Sequence, residues 1–130
     1  MRSLLLILGL SLSLSSVVYA ESSLSTPTQG AKASLVNPDI QRLEVPPTPQ
    51  NMPLPSFGKG VIGWGSGPDG AQLRLDHVTQ ADVAEMKRKG LTLEMATAWQ
   101  LFYENETQRN AGNPTAPLRA QLMKKITQLW

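Results

Sequence analysis

The distribution of proline is the strongest constraint on how this chain can fold. Proline lacks an amide donor and fixes φ, so a dense run of prolines excludes both a continuous helix and an internal strand. Apolar residues in the same region recur without a regular period. Residues 21–57 are therefore predicted to be a disordered or polyproline-like linker, with the folded domain in residues 58–130. Seven of the ten prolines lie in this predicted linker: Pro27, Pro38, Pro46, Pro47, Pro49, Pro53 and Pro55.

One stretch of this linker has a second interpretation. Val45-Pro46-Pro47-Thr48-Pro49 has the composition of an extended peptide that docks in an aromatic groove of a partner. Proline-rich spacers are common in exported proteins, so the simple linker is the preferred prediction.

The N-terminus has the three-part pattern of a secretory signal. Met1 and Arg2 form a short positive region, Leu4 to Leu14 form an apolar run, and Val18 to Ala20 end in a small residue. Cleavage is predicted between Ala20 and Glu21, which would place the protein in the periplasm or outside the cell. The alternative is an uncleaved anchor, but the apolar run is short for a membrane span. The mature form is predicted to have no membrane span.

Composition excludes several classes of function. Of 12 basic and 10 acidic residues, removal of Arg2 with the leader leaves 11 and 10, too small an excess for a nucleic-acid surface. Lys87-Arg88-Lys89 is the single basic run, and it is interpreted as a solvated helix end. With no cysteine and only His77, thiol catalysis and multi-histidine metal sites are excluded, and no metal or cofactor is predicted.

A glycine cluster between Gly58 and Gly70 opens the predicted domain. Its first six residues fit the dinucleotide-binding pattern G-x-G-x-x-G, but the required preceding strand and following helix are not predicted. The cluster is instead predicted to be a loop that bends tightly against helices, anchored by Ile62 and Trp64. Ser66 to Gly70 is predicted to close this loop as a turn.

Helical periodicity dominates the rest of the chain, which makes the fold class mainly α, a small domain of three to four helices. Thr79 and Thr92 are predicted N-caps, and Gly90 is a predicted helix end. The predicted helices are Gln80 to Lys89, Thr92 to about Asn110, and a last one starting near Thr115 or Pro117; Ala71 to Asp76 is left open between helix and strand.

The apolar positions of these helices predict the core. Val83 and Met86 recur at helical spacing in the first helix. Aromatic side chains must supply much of the buried area in so small a domain, and Trp64, Trp99, Phe102 and Trp130 are the candidates. The predicted stripes are Met95, Trp99 and Phe102 with Ala98 and Leu101 alongside, and then Leu118, Leu122, Ile126 and Leu129.

Continuing the stripe of the long helix places a carboxylate, Glu106, at the edge of the core. Arg109 follows one turn later, and the pair is interpreted first as an ion pair that stabilises the interhelical turn. The functional alternative is a polar binding pocket. Its predicted residues are Tyr103, Glu106, Arg109, Asn113 and Arg119, and Trp64 of the glycine loop is a further predicted binding residue.

Catalytic candidates are few. Glu106 is a weak candidate acid, but glycoside hydrolysis usually needs a second facing carboxyl group, and Glu104 lies on another helix face. Asp76 and His77 are adjacent in a predicted loop, and His77 is a second weak candidate.

The stretch from Leu91 to Leu129 resembles an uncharacterised domain of Gram-negative bacteria. The residues that carry the resemblance are Ala98-Trp99, Phe102-Tyr103, Asn105-Glu106, Arg109-Asn110, Gly112 to Ala116, Arg119-Ala120, Leu122-Met123 and Ile126. With the glycine loop it covers residues 58–130 and is similar to modules of short secreted and polymorphic-toxin-like proteins. It implies a role at the cell envelope or in competition between bacteria, with no established reaction.

Three functions follow as hypotheses. The first is an exported, non-enzymatic binding module whose partner is a protein or an envelope component. The second is a small antibacterial toxin or envelope hydrolase that uses Glu106. The third is an accessory subunit of a secretion or surface apparatus.

Overall fold

The computed structural model describes residues 35–130. The predicted leader, residues 1–20, and the first part of the predicted linker, residues 21–34, lie outside this range. Four helices follow one another: α1 Gly67–His77, α2 Gln80–Arg88, α3 Leu93–Arg109 and α4 Ala116–Gln128. Residues 35–130 contain no strand beyond one isolated antiparallel bridge between Val36 and Asn110, so the predicted mainly α fold is confirmed.

The helix ends lie close to where local sequence signals predict them. The Thr79 hydroxyl accepts from the Asp82 amide at 3.2 Å, and the Asp82 carboxylate accepts from the Thr79 amide at 2.9 Å, which forms a capping box. The Thr92 hydroxyl accepts from the Met95 amide at 3.1 Å. Gly90 follows α2 with φ +105°, a conformation that glycine adopts at little cost. These ends confirm the predicted α2 and α3.

The glycine segment is more helical than predicted. Phe57–Ile62 forms a π-helical turn, and α1 begins at Gly67, where a closing turn was predicted. A Cβ at Gly58 would collide with the Trp64 indole, and a Cβ at Gly70 would collide with the Trp64 carbonyl. Gly58 and Gly70 therefore allow close packing against Trp64, and only residues 63–66 between the π-helical turn and α1 lack regular structure.

The predicted boundary at residue 57 is wrong for residues 35–57, which pack on the helices. The Trp99 indole N–H donates to the Pro47 carbonyl at 2.9 Å. The Asn105 side chain donates to the Gln41 carbonyl and accepts from the Leu43 amide, each at 3.0 Å. Proline limits regular structure in this segment to two short helical turns, Pro49–Asn51 and Leu54–Ser56. The carbonyl groups of the segment remain acceptors, and helix side chains supply the donors. Val45 to Pro49 therefore belongs to this docked segment of the domain.

The main helix contacts are α3 with α4 and α1 with α4. Five rings form a continuous aromatic cluster, with centroid separations from 5.2 to 6.0 Å in the contacting pairs. Edge-to-face and offset pairs of this kind contribute beyond their buried area. The cluster consists of Phe57, Trp64, Trp99, Phe102 and Tyr103.

Several predicted core positions are buried, namely Trp64, Val83, Met86, Trp99, Phe102, Leu122 and Ile126. Met95, Ala98, Leu118 and Leu129 are only partly buried. Leu101 is 50% exposed, because the buried face of α3 runs through Ala96, Trp99 and Tyr103. Trp130 is only partly buried at the edge of the core, where the Lys87 ammonium lies 4.5 Å from its ring centroid. Among the described residues, no helix has the length and apolar character needed to cross a bilayer.

Candidate functional site

Arg119 is the polar residue most tightly built into the aromatic cluster. It lies on α4, and its guanidinium carbon is 4.4 Å from the ring centroid of Trp64 and 5.5 Å from that of Tyr103. Its Nη1 donates to the Tyr103 hydroxyl oxygen at 3.1 Å. No carboxylate pairs with Arg119 anywhere in residues 35–130. The guanidinium is thus held in place without neutralisation of its charge.

Tyr103 remains a neutral phenol in this setting. Burial raises the pKa of Tyr103 above its ordinary value of 10.0, and the positive charge of Arg119 opposes part of that rise. The phenol oxygen can therefore accept from Arg119 without itself carrying charge at neutral pH. Tyr103 orients the guanidinium instead of neutralising it.

An open cavity of about 300 Å³ lies beside Trp64 and Arg119. The turn Leu54–Ser56, the π-helical turn and the start of α1 form its other walls. No acidic side chain of the described chain lines it. The residues that define this space, the Trp64–Arg119 cavity, are Leu54, Pro55, Lys59, Trp64, Gly65, Ser66, Gly67 and Arg119.

A larger cavity of about 510 Å³ lies near the end of α2, where Arg88 and Lys89 line it. Both cations already have partners: Arg88 pairs with Glu85, and the Lys89 ammonium donates to the Gly60 carbonyl at 2.8 Å. In contrast, the Lys59 side chain has no hydrogen bond or ion pair within residues 35–130. Of these two cavities, only the smaller one is lined by a cation that has neither a hydrogen bond nor an ion pair in residues 35–130.

Glu106 belongs to a separate cluster. Its carboxylate accepts from Arg109 Nε at 2.9 Å and lies 3.6 Å from Arg42 Nε. Glu106 is 8% exposed, so these two cations compensate a nearly buried charge. This geometry agrees with the predicted ion pair at the interhelical turn. Because Arg42 belongs to residues 35–57, its contact with Glu106 also connects this segment with α3.

The predicted polar pocket is therefore not a single pocket. Tyr103 and Arg119 come together with Trp64, whereas Glu106 pairs with both Arg109 and Arg42. Asn113 has a third role, because its side-chain oxygen accepts from the amides of Thr115 and Ala116 at 3.0 and 3.2 Å and satisfies the start of α4.

His77 lies at the exposed end of α1, and its Nδ1 is 2.9 Å from the Leu73 carbonyl oxygen one turn earlier. Asp76 accepts from Gln72 at 2.8 Å instead of orienting His77. Within residues 35–130, no group of three or more acidic, histidine or cysteine side chains is placed to hold a metal ion. His77 thus has the contacts of a helix-end residue.

Two residues of these clusters were not predicted. Lys59 lies between Gly58 and Gly60, and a lysine within a glycine run is the sequence feature that could have identified it as a site residue. Arg42 lies in the segment predicted to be disordered, and no local pattern of the sequence connects it with Glu106.

Comparisons with known proteins are consistent with this domain definition. An NMR structure of a protein from Acinetobacter baumannii is similar at 51% sequence identity, with a TM-score of 0.64, and the match covers 83% of this chain and 100% of that chain. Among curated proteins, none matches the chain. A family match spans residues 32–130, and it begins inside the predicted linker rather than at residue 58. By this match, the chain belongs to the family described as Domain of unknown function (DUF4951).

Proposed function

We propose that this protein is an exported, non-enzymatic binding module of the periplasm or cell envelope, and that it contacts its partner through the Trp64–Arg119 cavity. The supporting observation is the Arg119 guanidinium, which lies on the Trp64 ring without a carboxylate partner in the described chain. Arginine and tryptophan held rigidly at a concave surface are the residue types that dominate binding energy at interfaces.

The proposal places no chemistry on Glu106. Both carboxylate oxygens lie within hydrogen-bonding distance of Arg109, at 2.9 and 3.5 Å, and Arg42 covers one of them. Glu106 therefore has the contacts of a structural ion pair that connects α3 with Arg42. Competition between bacteria is the context that we propose for this binding, on the basis of the resemblance to polymorphic-toxin-like proteins. That resemblance implies no reaction.

Site-specific crosslinking tests the proposal. A photo-crosslinking amino acid replaces Ser66, which is exposed and lines the cavity. The control replaces Gln121, which is exposed on α4 and does not line it. We expect a discrete adduct with an envelope component from Ser66 and none from Gln121, as judged by gel electrophoresis and mass spectrometry.

The identity of the adduct then distinguishes a separate binding module from an accessory subunit of a larger apparatus. A component of a secretion or surface apparatus would make the protein an accessory subunit of that apparatus. Absence of an adduct at Ser66, or the same adduct at both positions, would contradict recognition through this cavity.

A further inference from the structure

We infer that the Trp64–Arg119 cavity binds an oxyanion, a carboxylate or phosphate group, carried by a moiety about the size of one amino-acid residue. This inference rests on the proposed function, because it assigns a ligand chemistry to the same cavity. Four properties of the described residues support it: unpaired charge, a helix start, an unpaired indole donor and size.

The first property is charge. Lys59 and Arg119 both line the cavity, and neither has an acidic partner in residues 35–130. The Arg119 Nε is fully buried and without a hydrogen-bond partner, so part of this guanidinium is withdrawn from water. A cation in such a place interacts more strongly with an added anion than a solvated cation does, because water screens it less.

The second property is the start of α1. This helix of 11 residues begins at Gly67, and no side chain caps its first turn. Amide groups at a helix start carry a partial positive charge and bind anions readily. Asp69 lies in that first turn and opposes an added anion, which makes it a useful position for a test.

The third property is an unpaired donor at the cavity wall. Trp64 is 2% exposed, but its indole nitrogen keeps contact with solvent, and its N–H has no acceptor in the described part of the chain. Indole N–H groups of largely buried tryptophans usually have a partner. The Trp99 indole N–H, in comparison, donates to the Pro47 carbonyl at 2.9 Å. An oxyanion in the cavity would bring acceptor oxygens next to Trp64 and Arg119.

The fourth property is size and wall chemistry. The volume of about 300 Å³ is at the small end of the range for ligand pockets, so it holds one small group and not an extended ligand. Leu54 and Pro55 supply an apolar wall on one side. These features fit an anionic group attached to a small carbon skeleton, such as a terminal carboxylate or a phosphate ester.

NMR titration of the ¹⁵N-labelled full chain tests the inference directly. Sodium phosphate and sodium acetate are the two probes, and sodium chloride at matched ionic strength is the control for general salt effects. We expect a saturable shift of the Trp64 indole resonance with at least one probe. The Trp99 indole serves as an internal reference and should shift much less. The probe that saturates distinguishes a phosphate site from a carboxylate site.

Three variants sharpen the test. Lys59→Gln removes an exposed, unpaired cation and should weaken binding about 2- to 5-fold, the effect expected for one partly screened charge. Lys124→Gln removes an equally exposed lysine away from the cavity and should leave the affinity unchanged. Asp69→Asn should strengthen binding about 2- to 5-fold, because it removes a negative charge from the helix start.

Failure of both probes to give a saturable Trp64 shift would overturn the inference, as would equal weakening by Lys59→Gln and Lys124→Gln. Crosslinking at Ser66 decides the proposed function independently. An adduct at Ser66 without anion binding would support the proposed function and contradict the inference that the ligand is an oxyanion. Anion binding without an adduct would support the inference and count against a macromolecular partner at this cavity.

Discussion

At the scale of single residues, Trp99 connects the two parts of the described chain. Its ring lies in the middle of the aromatic cluster, 5.3 Å from that of Phe57 and 5.7 Å from that of Tyr103. Its N–H donates to the Pro47 carbonyl, 52 positions earlier in the sequence. One side chain therefore supports both the core of the helices and the attachment of the proline-rich segment.

Trp99→Ala should lower the free energy of unfolding by about 3–5 kcal/mol, because it empties a large buried volume. It also leaves the Pro47 carbonyl without its donor. Urea denaturation followed by circular dichroism measures the change. Trp130→Ala is the control, and it should cost about 1 kcal/mol, since Trp130 is only partly buried. Similar losses in the two variants would contradict the central role of Trp99.

At the scale of elements, the start of α2 depends on a reciprocal cap that is sensitive to pH. The backbone hydrogen bond from Thr79 lowers the pKa of Asp82, burial opposes this, and the Thr79 hydroxyl and Arg74 assist it. Arg74 Nη1 lies 3.5 Å from the Asp82 carboxylate and connects α1 with α2. Ionised Asp82 therefore supports both the helix end and the packing of two helices.

A lowered pKa in the folded state fixes the direction of the pH effect. The stabilisation by Asp82 is present above its ordinary pKa of 3.8 and is lost as the pH falls through the lower folded value. Asp82→Asn should therefore reduce stability at pH 7 and flatten the loss of stability below pH 3.8. Urea denaturation at a series of pH values measures this change.

Two further variants control that experiment. Thr79→Ala should cost about 1 kcal/mol at pH 7 through the lost cap. Asp39→Asn changes an exposed acidic residue outside this cap and should leave the acid dependence as in wild type. An unchanged acid dependence in Asp82→Asn would show that other carboxylates control it.

At the scale of the whole molecule, the folded unit is longer than its helices. Residues 37–47 run along α3: the Asn37 amide donates to the Arg109 carbonyl at 2.7 Å, and the Arg42 guanidinium carbon lies 5.4 Å from the Phe102 ring centroid. The family match from residue 32 agrees with this extent. Any spacer between the predicted leader and the domain is accordingly limited to about the first dozen residues after position 20.

The prediction at the scale of the whole molecule is that the protein is exported and that its leader is removed. The full chain expressed in a bacterial host should be recovered from the periplasm with Glu21 as its first residue, as measured by intact mass. Ala20→Arg should block cleavage, because the position before the cut requires a small side chain. Tyr19→Phe should be processed normally. Recovery from the cytoplasm with residues 1–20 attached would contradict the predicted signal.

The sequence determined the helices α2, α3 and α4, because caps and apolar periodicity act over three or four residues, whereas it left α1 open between helix and strand. Thr79, Thr92 and Gly90 mark helix ends in the sequence and in the structure. The pairing of Glu106 with Arg109 could be predicted for the same reason, since both lie on one helix face.

Only the tertiary structure decided where the proline-rich segment lies and which residues form the cavity. Contacts such as Pro47 with Trp99, or Arg42 with Glu106, join residues far apart in sequence, and no local pattern encodes them. Proline limited regular secondary structure in this segment to the short helical turns Pro49–Asn51 and Leu54–Ser56, but absence of long helices and strands does not exclude packing. Backbone carbonyls in an irregular segment still accept hydrogen bonds, and here the side chains of α3 donate them.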